Sequence, residues 1–200
     1  MASILGLHWE RNFFAETGER SYTLVANEGP LVSDFHYYAY DSGDYLLHVG
    51  SLNRFTFFGD PDQEITAEFV DCRKGSPSLH QLVRLDFTPD PRKVLHIAQG
   101  IAMKFSGMRN ILVRSEPVWF APSSATTNYN VGNDQTYVPA ETPASHFPKV
   151  SVNDLPLPPE ALQIILKRQQ EILRNGDSYD TAFDVAVNGE ISRFASRRNQ

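Results

Sequence analysis

The chain has 200 residues, 41% hydrophobic, 12% aromatic and 21% charged, with a formal net charge of −6 and one cysteine, Cys72. Thirteen Phe, eight Tyr and two Trp exclude whole-chain disorder and give one domain ample apolar surface for a core. The acidic balance argues against coating a nucleic acid, and a lone cysteine excludes an internal disulfide or a cysteine-rich metal site. No apolar run approaches the ~18 to 20 residues that span a bilayer. Met1-Ala2-Ser3-Ile4-Leu5-Gly6 lacks a basic segment followed by a long apolar one, so a soluble, cytoplasmic protein is expected.

From Tyr22 to Trp119 the chain reads as short strands separated by turn chemistry. Ser21–Val25, Tyr45–Val49, Arg54–Phe58, Glu64–Val70 and Leu82–Phe87 are rich in β-branched and aromatic residues that fit a pleated surface. Turn formers lie between them: Asn27-Glu28-Gly29-Pro30, Asp41-Ser42-Gly43-Asp44, Gly59-Asp60-Pro61-Asp62, Lys74-Gly75-Ser76-Pro77 and Pro89-Asp90-Pro91. Evenly spaced short strands predict an all-β sandwich, barrel or jelly roll over 1–155. Residues 121–149 carry no periodicity and read as a long irregular loop. A helix is predicted over 156–176, opened by Pro158-Pro159, striped by Ala161, Leu162, Ile165, Leu166, Ile172 and Leu173, and stopped at Asn175-Gly176. Residues 177–200, with Arg193, Arg197 and Arg198, read as a mobile tail.

No P-loop or dinucleotide-binding glycine fingerprint is present. The histidines, His8, His36, His48, His80, His96 and His146, have no close i,i+2 or i,i+4 pair that commonly places metal ligands together, so neither metal nor cofactor is expected.

Three segments carry a resemblance. Glu10-Arg11-Asn12-Phe13-Phe14-Ala15-Glu16, Val70-Asp71-Cys72-Arg73-Lys74-Gly75-Ser76-Pro77-Ser78 and Ile97-Ala98-Gln99-Gly100-Ile101-Ala102-Met103-Lys104-Phe105 resemble the E-R-G-F-F-x-E, V-D-x-R-x-G-S-P-T and I-P-E-G-F-A-H-G-F segments of the dTDP-4-dehydrorhamnose 3,5-epimerases. They occur in that family's order and at about its spacing, over residues 9 to 122. The resemblance implies a cupin-type β jelly roll, a homodimer, and removal and return of protons beside the carbonyl of a 4-keto sugar nucleotide. Such a reaction needs a base, an acid across the ring and stabilisation of the enolate.

An ungapped count from Phe14 lays the family's base histidine on His48. The implied catalytic set is His48, Tyr45 as a substitute acid, and Asp154 or Glu160 as the carboxylate that orients the base. Arg11, Phe14, Glu16, Arg54 and Met103 are the implied substrate-binding residues, with Arg11 and Phe14 suited to a phosphate and a stacked base. The chain departs from the family pattern at Tyr45, where an arginine is expected, at Val113 near the catalytic tyrosine, and at Met103 in place of a histidine. Tyr37, Tyr38, Tyr40 and Tyr45 are expected to cluster on the approach to His48. The expected function is therefore proton transfer alpha to a carbonyl of a small molecule, without a nucleic-acid or membrane partner. Two alternatives stay open: a tailoring enzyme that isomerises or cyclises a non-sugar metabolite in a repurposed barrel, and a non-catalytic dimeric binding protein.

Overall fold

Along Ser51–Phe58 alternate side chains are buried, and this alternation sets which face of a strand meets the core. A computed structural model of the chain describes residues 3–12, 14–18, 21–24, 33–41, 43–122, 128–130, 135–157, 181–187 and 190–196. In chain order the strands are Leu7–Arg11 (β1), Phe14–Gly18 (β2), Ser21–Leu24 (β3), Asp34–Tyr38 (β4), Tyr45–His48 (β5), Ser51–Phe58 (β6), Ile65–Asp71 (β7), Leu82–Phe87 (β8) and Lys93–Ile97 (β9). They continue with Ile101–Ser106 (β10), Ile111–Ser115 (β11), Val118–Ala121 (β12), Asn128–Asn130 (β13), Gln135–Val138 (β14), Leu155–Pro156 (β15), Thr181–Val187 (β16) and Glu190–Ser196 (β17).

Two antiparallel sheets form the body. The first runs β1-β9-β6-β11-β4, with β12 pairing β6 and β15 pairing β12; the second runs β14-β5-β10-β7-β8. Their facing sides share one core, to which the first sheet gives Phe55, Phe57, Leu95, Ile97, Ile111 and Val113 and the second gives Ile65, Ala67, Phe69, Ile101, Met103 and Phe105. Phe57 meets Phe105 at 5.7 Å and Phe87 at 5.0 Å between ring centroids, and Trp9 meets Phe87 edge-on at 5.0 Å. Each such pair contributes about 0.5–1.5 kcal/mol beyond area burial. Over the described residues the chain is all-β, apart from one 3-10 turn, with the architecture of a cupin-type jelly roll.

A second cluster, on the outer side of the second sheet, joins Tyr45, Leu47, Val70, Cys72 and Ala102 to Val138 and Phe147. Burial pushes the Cys72 thiol up to about 11, which leaves it an inert core group. The expected irregular loop 121–149 therefore needs correcting. It holds β13, β14 and a 3-10 turn at Ala144–His146, and Phe147 fastens it to the sheet. The expected tail likewise contains β16 and β17, paired in antiparallel register from Thr181↔Ser196 to Val187↔Glu190, with β13 parallel to β17. The helix expected over 156–176 lies outside the described residues apart from Pro156 and Leu157.

Candidate active site

Strand alternation decides which way the β5 side chains point. Tyr45 and Leu47 belong to the outer cluster and Leu46 packs against the inner core, so His48 faces inward with Leu46. His48 is 7% exposed. Three backbone hydrogen bonds converge on this end of β5: Gly100 N–H donates to the His48 carbonyl at 2.6 Å, Asn153 N–H to Val49 at 2.9 Å, and Phe120 N–H to Gly50 at 2.7 Å. Gly100 has φ +74°, and a side chain there would collide with the Arg73 stem and Val152, so only glycine lets the chain approach His48 this closely.

The chain crosses from the second sheet to the first through Val49-Gly50, and β6 opens with Ser51. Asn53 pairs with core Ile97 and Phe55 with core Leu95, which places Ser51, Asn53, Phe55 and Phe57 on the inward side. Ser51 and Asn53 are both buried. Trp119 is opposite Ser51 and shares that face. In the second sheet Met103 is opposite Leu46, while Gln135 is opposite His48 and Tyr137 opposite Leu46. The His48 end of the barrel thus gathers one imidazole, a buried hydroxyl, a buried amide and an indole, against Ile97, Ile101 and Met103.

Several expected residues stand elsewhere. Tyr45 points away from His48: its hydroxyl donates to Glu68 Oε2 at 2.9 Å, Lys104 Nζ sits 4.7 Å from its ring centroid, and Phe147 meets it edge-on at 5.0 Å. Burial and the hydrogen bond to Glu68 hold its phenol above the ordinary value. Its place is an anchor for the 135–150 segment. Tyr45→Phe should cost about 1 kcal/mol in urea unfolding, the worth of one hydrogen bond, and leave turnover within about twofold.

Arg54 also turns outward. It is opposite His96, which is opposite His8, so the three form one row on the outer face of the first sheet. The His8 and His96 rings stack at 4.6 Å and His8 Nε2 lies 2.9 Å from Glu10 Oε1. The hydrogen bond to His8 holds the Glu10 carboxyl below its usual value, against a smaller opposing effect of burial, with a further contribution from Arg54.

Arg11 is exposed at the far end of β1, opposite Lys93, whereas Leu7 at the near end is opposite Ile97. The β9 rise from Lys93 to Ile97 is about 13 Å at 3.3 Å per residue. Arg11 and His48 therefore occupy opposite ends of one barrel. A groove of about 370 Å³ beside Arg11 is lined by Trp9, Asp90, Arg92 and Lys93.

Phe14 and Glu16 lie in the β2–β3 hairpin, opposite Leu24 and Tyr22. Asp154 is exposed and follows Asn153, which docks on Val49, so its backbone runs beside the His48 end. Glu160 lies outside the described residues. The expected tyrosine cluster is not formed: Tyr37 and Tyr38 are on β4 of the first sheet, with Tyr37 donating to Asn110 Oδ1 at 2.8 Å and Tyr38 packed on the core, and Tyr40 is exposed. Ser51, Asn53, Trp119 and Tyr137 are missed by the sequence reading. The signal was present in the alternation of Ser51, Asn53, Phe55 and Phe57, three residues before the predicted strand start at Arg54.

No protein-family model and no curated protein sequence matches the chain. Solved structures do. The chain is similar to the dTDP-6-deoxy-D-glucose-3,5-epimerase RmlC of Legionella pneumophila, solved in complex with dTDP-4-keto-L-rhamnose, with 14% identity, 82% of this chain and 92% of that chain covered, and a TM-score of 0.51. It is similar also to the RmlC epimerase of Mycobacterium tuberculosis, with 12% identity, 88% and 97% covered, and a TM-score of 0.50. The chain has the fold of the RmlC epimerases. The likeness is one of fold, so its chemistry rests on the side chains themselves. Among the described residues no group of three or more His, Cys, Asp or Glu is placed to hold a metal ion, and no helix is long and apolar enough to cross a membrane.

Proposed function

We propose that the protein is an isomerase or epimerase that moves a proton on the carbon beside a carbonyl, with His48 as the base and a nucleotide-linked 4-keto sugar as substrate. The observation that carries this reading is the inward, buried position of His48 at the end of the jelly roll. A general base must reach the C–H bond in a site sheltered from bulk water. The proton is returned from the solvent side of the site, where Tyr137, 64% exposed, stands diagonally from His48 across β14 and β5, within the reach of an aromatic side chain across such a pair. Tyr45, on the opposite face, has no part in the step.

The reading includes a homodimer. Arg11 and His48 lie at opposite ends of one barrel, so the Arg11 side chain reaches a diphosphate at His48 only from a second copy. Phe35, Tyr37 and Leu112, exposed together across β4 and β11, offer an apolar face for it. A second reading is favoured by the inward positions themselves: His48, Ser51, Asn53, Ile97, Ile101 and Met103 include no Arg or Lys. That composition suits a carbonyl metabolite without a diphosphate, and hence a tailoring isomerase.

Proton NMR in D2O separates the two. With dTDP-4-keto-6-deoxyglucose the protein should erase the signals of protons on the carbons flanking the carbonyl. An unchanged spectrum after prolonged incubation would overturn the sugar-nucleotide reading.

A further inference from the structure

His48 is the last residue of β5, and both ladders beside that strand end at its level. The pairing with β10 covers Leu46 and Leu47, and the pairing with β14 begins at Gln135, opposite His48. From His48 to Gly50 the backbone is held instead by three donors from three separate segments. Gly100 N–H meets the His48 carbonyl at 2.6 Å, Asn153 N–H meets Val49 at 2.9 Å, and Phe120 N–H meets Gly50 at 2.7 Å. Strand ends are where local opening costs least. The direction of the imidazole therefore depends on how firmly those three segments are fixed to one another.

One residue joins them. Asn153 Nδ2 donates to the Phe120 carbonyl at 3.0 Å, and the Asn153 carbonyl accepts Gln99 Nε2 at 3.4 Å, one residue before Gly100. Asn153 thus touches all three segments, and its own N–H makes the middle bond. It stands between the two walls of the barrel: Val49 follows β5 of the second sheet, and Phe120 lies in β12, which joins the first. Just beyond it, Leu155–Pro156 pairs with β12, and Leu157 N–H donates to the Trp119 carbonyl at 3.0 Å. The segment that Asn153 anchors therefore also carries the strand that sets Trp119 opposite Ser51. The residue type matters here. Aspartate has the same shape but offers no N–H to a carbonyl, and alanine offers no side-chain donor at all.

We propose that Asn153 is the positioning residue of the site: by tying Val49, Phe120 and Gln99 together, it holds the His48 imidazole at a fixed place and angle facing the Trp119 wall. The inference rests on the proton-transfer reading above and adds to it a residue that touches neither substrate nor reacting atoms. Proton abstraction needs the base and the C–H bond aligned, and a misplacement of about 1 Å costs about 10²-fold in rate. Asn153 acts on that alignment alone. Its loss therefore lowers kcat and leaves KM close to the wild-type value.

The test sets Asn153→Ala and Asn153→Asp against Tyr45→Phe, which removes one hydrogen bond on the other face of β5. Asn153→Ala and Tyr45→Phe should both melt within about 4 °C of wild type, as for the loss of one hydrogen bond in a chain of this size. In deuterium wash-in from D2O into dTDP-4-keto-6-deoxyglucose, both Asn153 variants should lower kcat by about 10- to 10²-fold. KM should change by less than about twofold, and Tyr45→Phe should exchange as wild type does. The NMR signals of the His48 ring protons, assigned by their absence from His48→Ala, should be single and sharp in wild type and Tyr45→Phe. In both Asn153 variants they should be broadened or doubled. If the Asn153 variants exchange as fast as Tyr45→Phe and the His48 signals are unchanged, the bond is merely structural and the inference is overturned. Absence of wash-in by the wild type would overturn the proton-transfer reading, and the His48 signals would then decide alone: unchanged signals overturn the positioning role of Asn153, and broadened ones uphold it.

Discussion

Asp71→Asn should destabilise the protein by about 3–5 kcal/mol, the cost of removing one partner from a buried ion pair. Asp71 is fully buried and gathers five donors. Arg73 gives Nε at 2.9 Å, NH2 at 2.8 Å and its backbone N–H at 3.0 Å, and the hydroxyls of Ser76 and Ser78 each stand at 2.6 Å. Arg73 continues to the Leu5 carbonyl at 2.7 Å, so this carboxylate ties β7, the following turn and the N-terminal segment together. Asparagine keeps one acceptor oxygen but turns an N–H₂ toward donors that met the other, and it leaves the Arg73 guanidinium without its counter-charge. Urea unfolding should show a lower midpoint with an unchanged slope.

The pH dependence of that difference follows from the same contacts. Burial alone would raise the Asp71 pKa, but the hydrogen bonds from Arg73, Ser76 and Ser78 outweigh it and hold the carboxyl far below the usual carboxylate range. A depressed folded-state pKa means that the stabilisation is complete above the unfolded value, about 3.9. It fades as pH falls through the folded value. Wild type and Asp71→Asn should therefore differ fully at pH 7 and converge in acid below about pH 4.

How legible the molecule was in its sequence varies by region, for physical reasons. Leu82–Phe87 is predicted to the residue, and Glu64–Val70 to within one, because turn formers bracket each on both sides. The jelly roll was readable from the three segments around Arg11, Asp71 and Gly100, whose glycines and buried carboxylate answer to backbone geometry that few other residues satisfy. β14 was not readable. Gln135–Val138 is an edge strand with one buried residue, Val138, and carries too little apolar pattern to stand out from 121–149.

The candidate site was legible in part. His48 and Met103 lie on the inward face of the second sheet. Tyr45 and Arg54 do not, because an odd separation along a strand reverses the face: Tyr45 is three residues from His48, and Arg54 is one from Asn53. Asn53 stood unnoticed because an isolated asparagine in a strand has no sequence signature.

The second large effect concerns His48. In the proposed reading the His48 ring is the base, and positioned general bases contribute about 10²- to 10⁴-fold. Removing the ring should cost that much in rate and only about 1–2 kcal/mol in stability, as for an ordinary buried truncation. The fold should be kept, since the Gly100, Asn153 and Phe120 bonds around it are made by backbone. The measurement that tests the account most directly is the rate of deuterium wash-in from D2O into dTDP-4-keto-6-deoxyglucose by wild type and by His48→Ala, with folding of both checked by circular dichroism. A folded His48→Ala that exchanges at least about 100-fold more slowly is the predicted result. A folded His48→Ala that exchanges at the wild-type rate would contradict it.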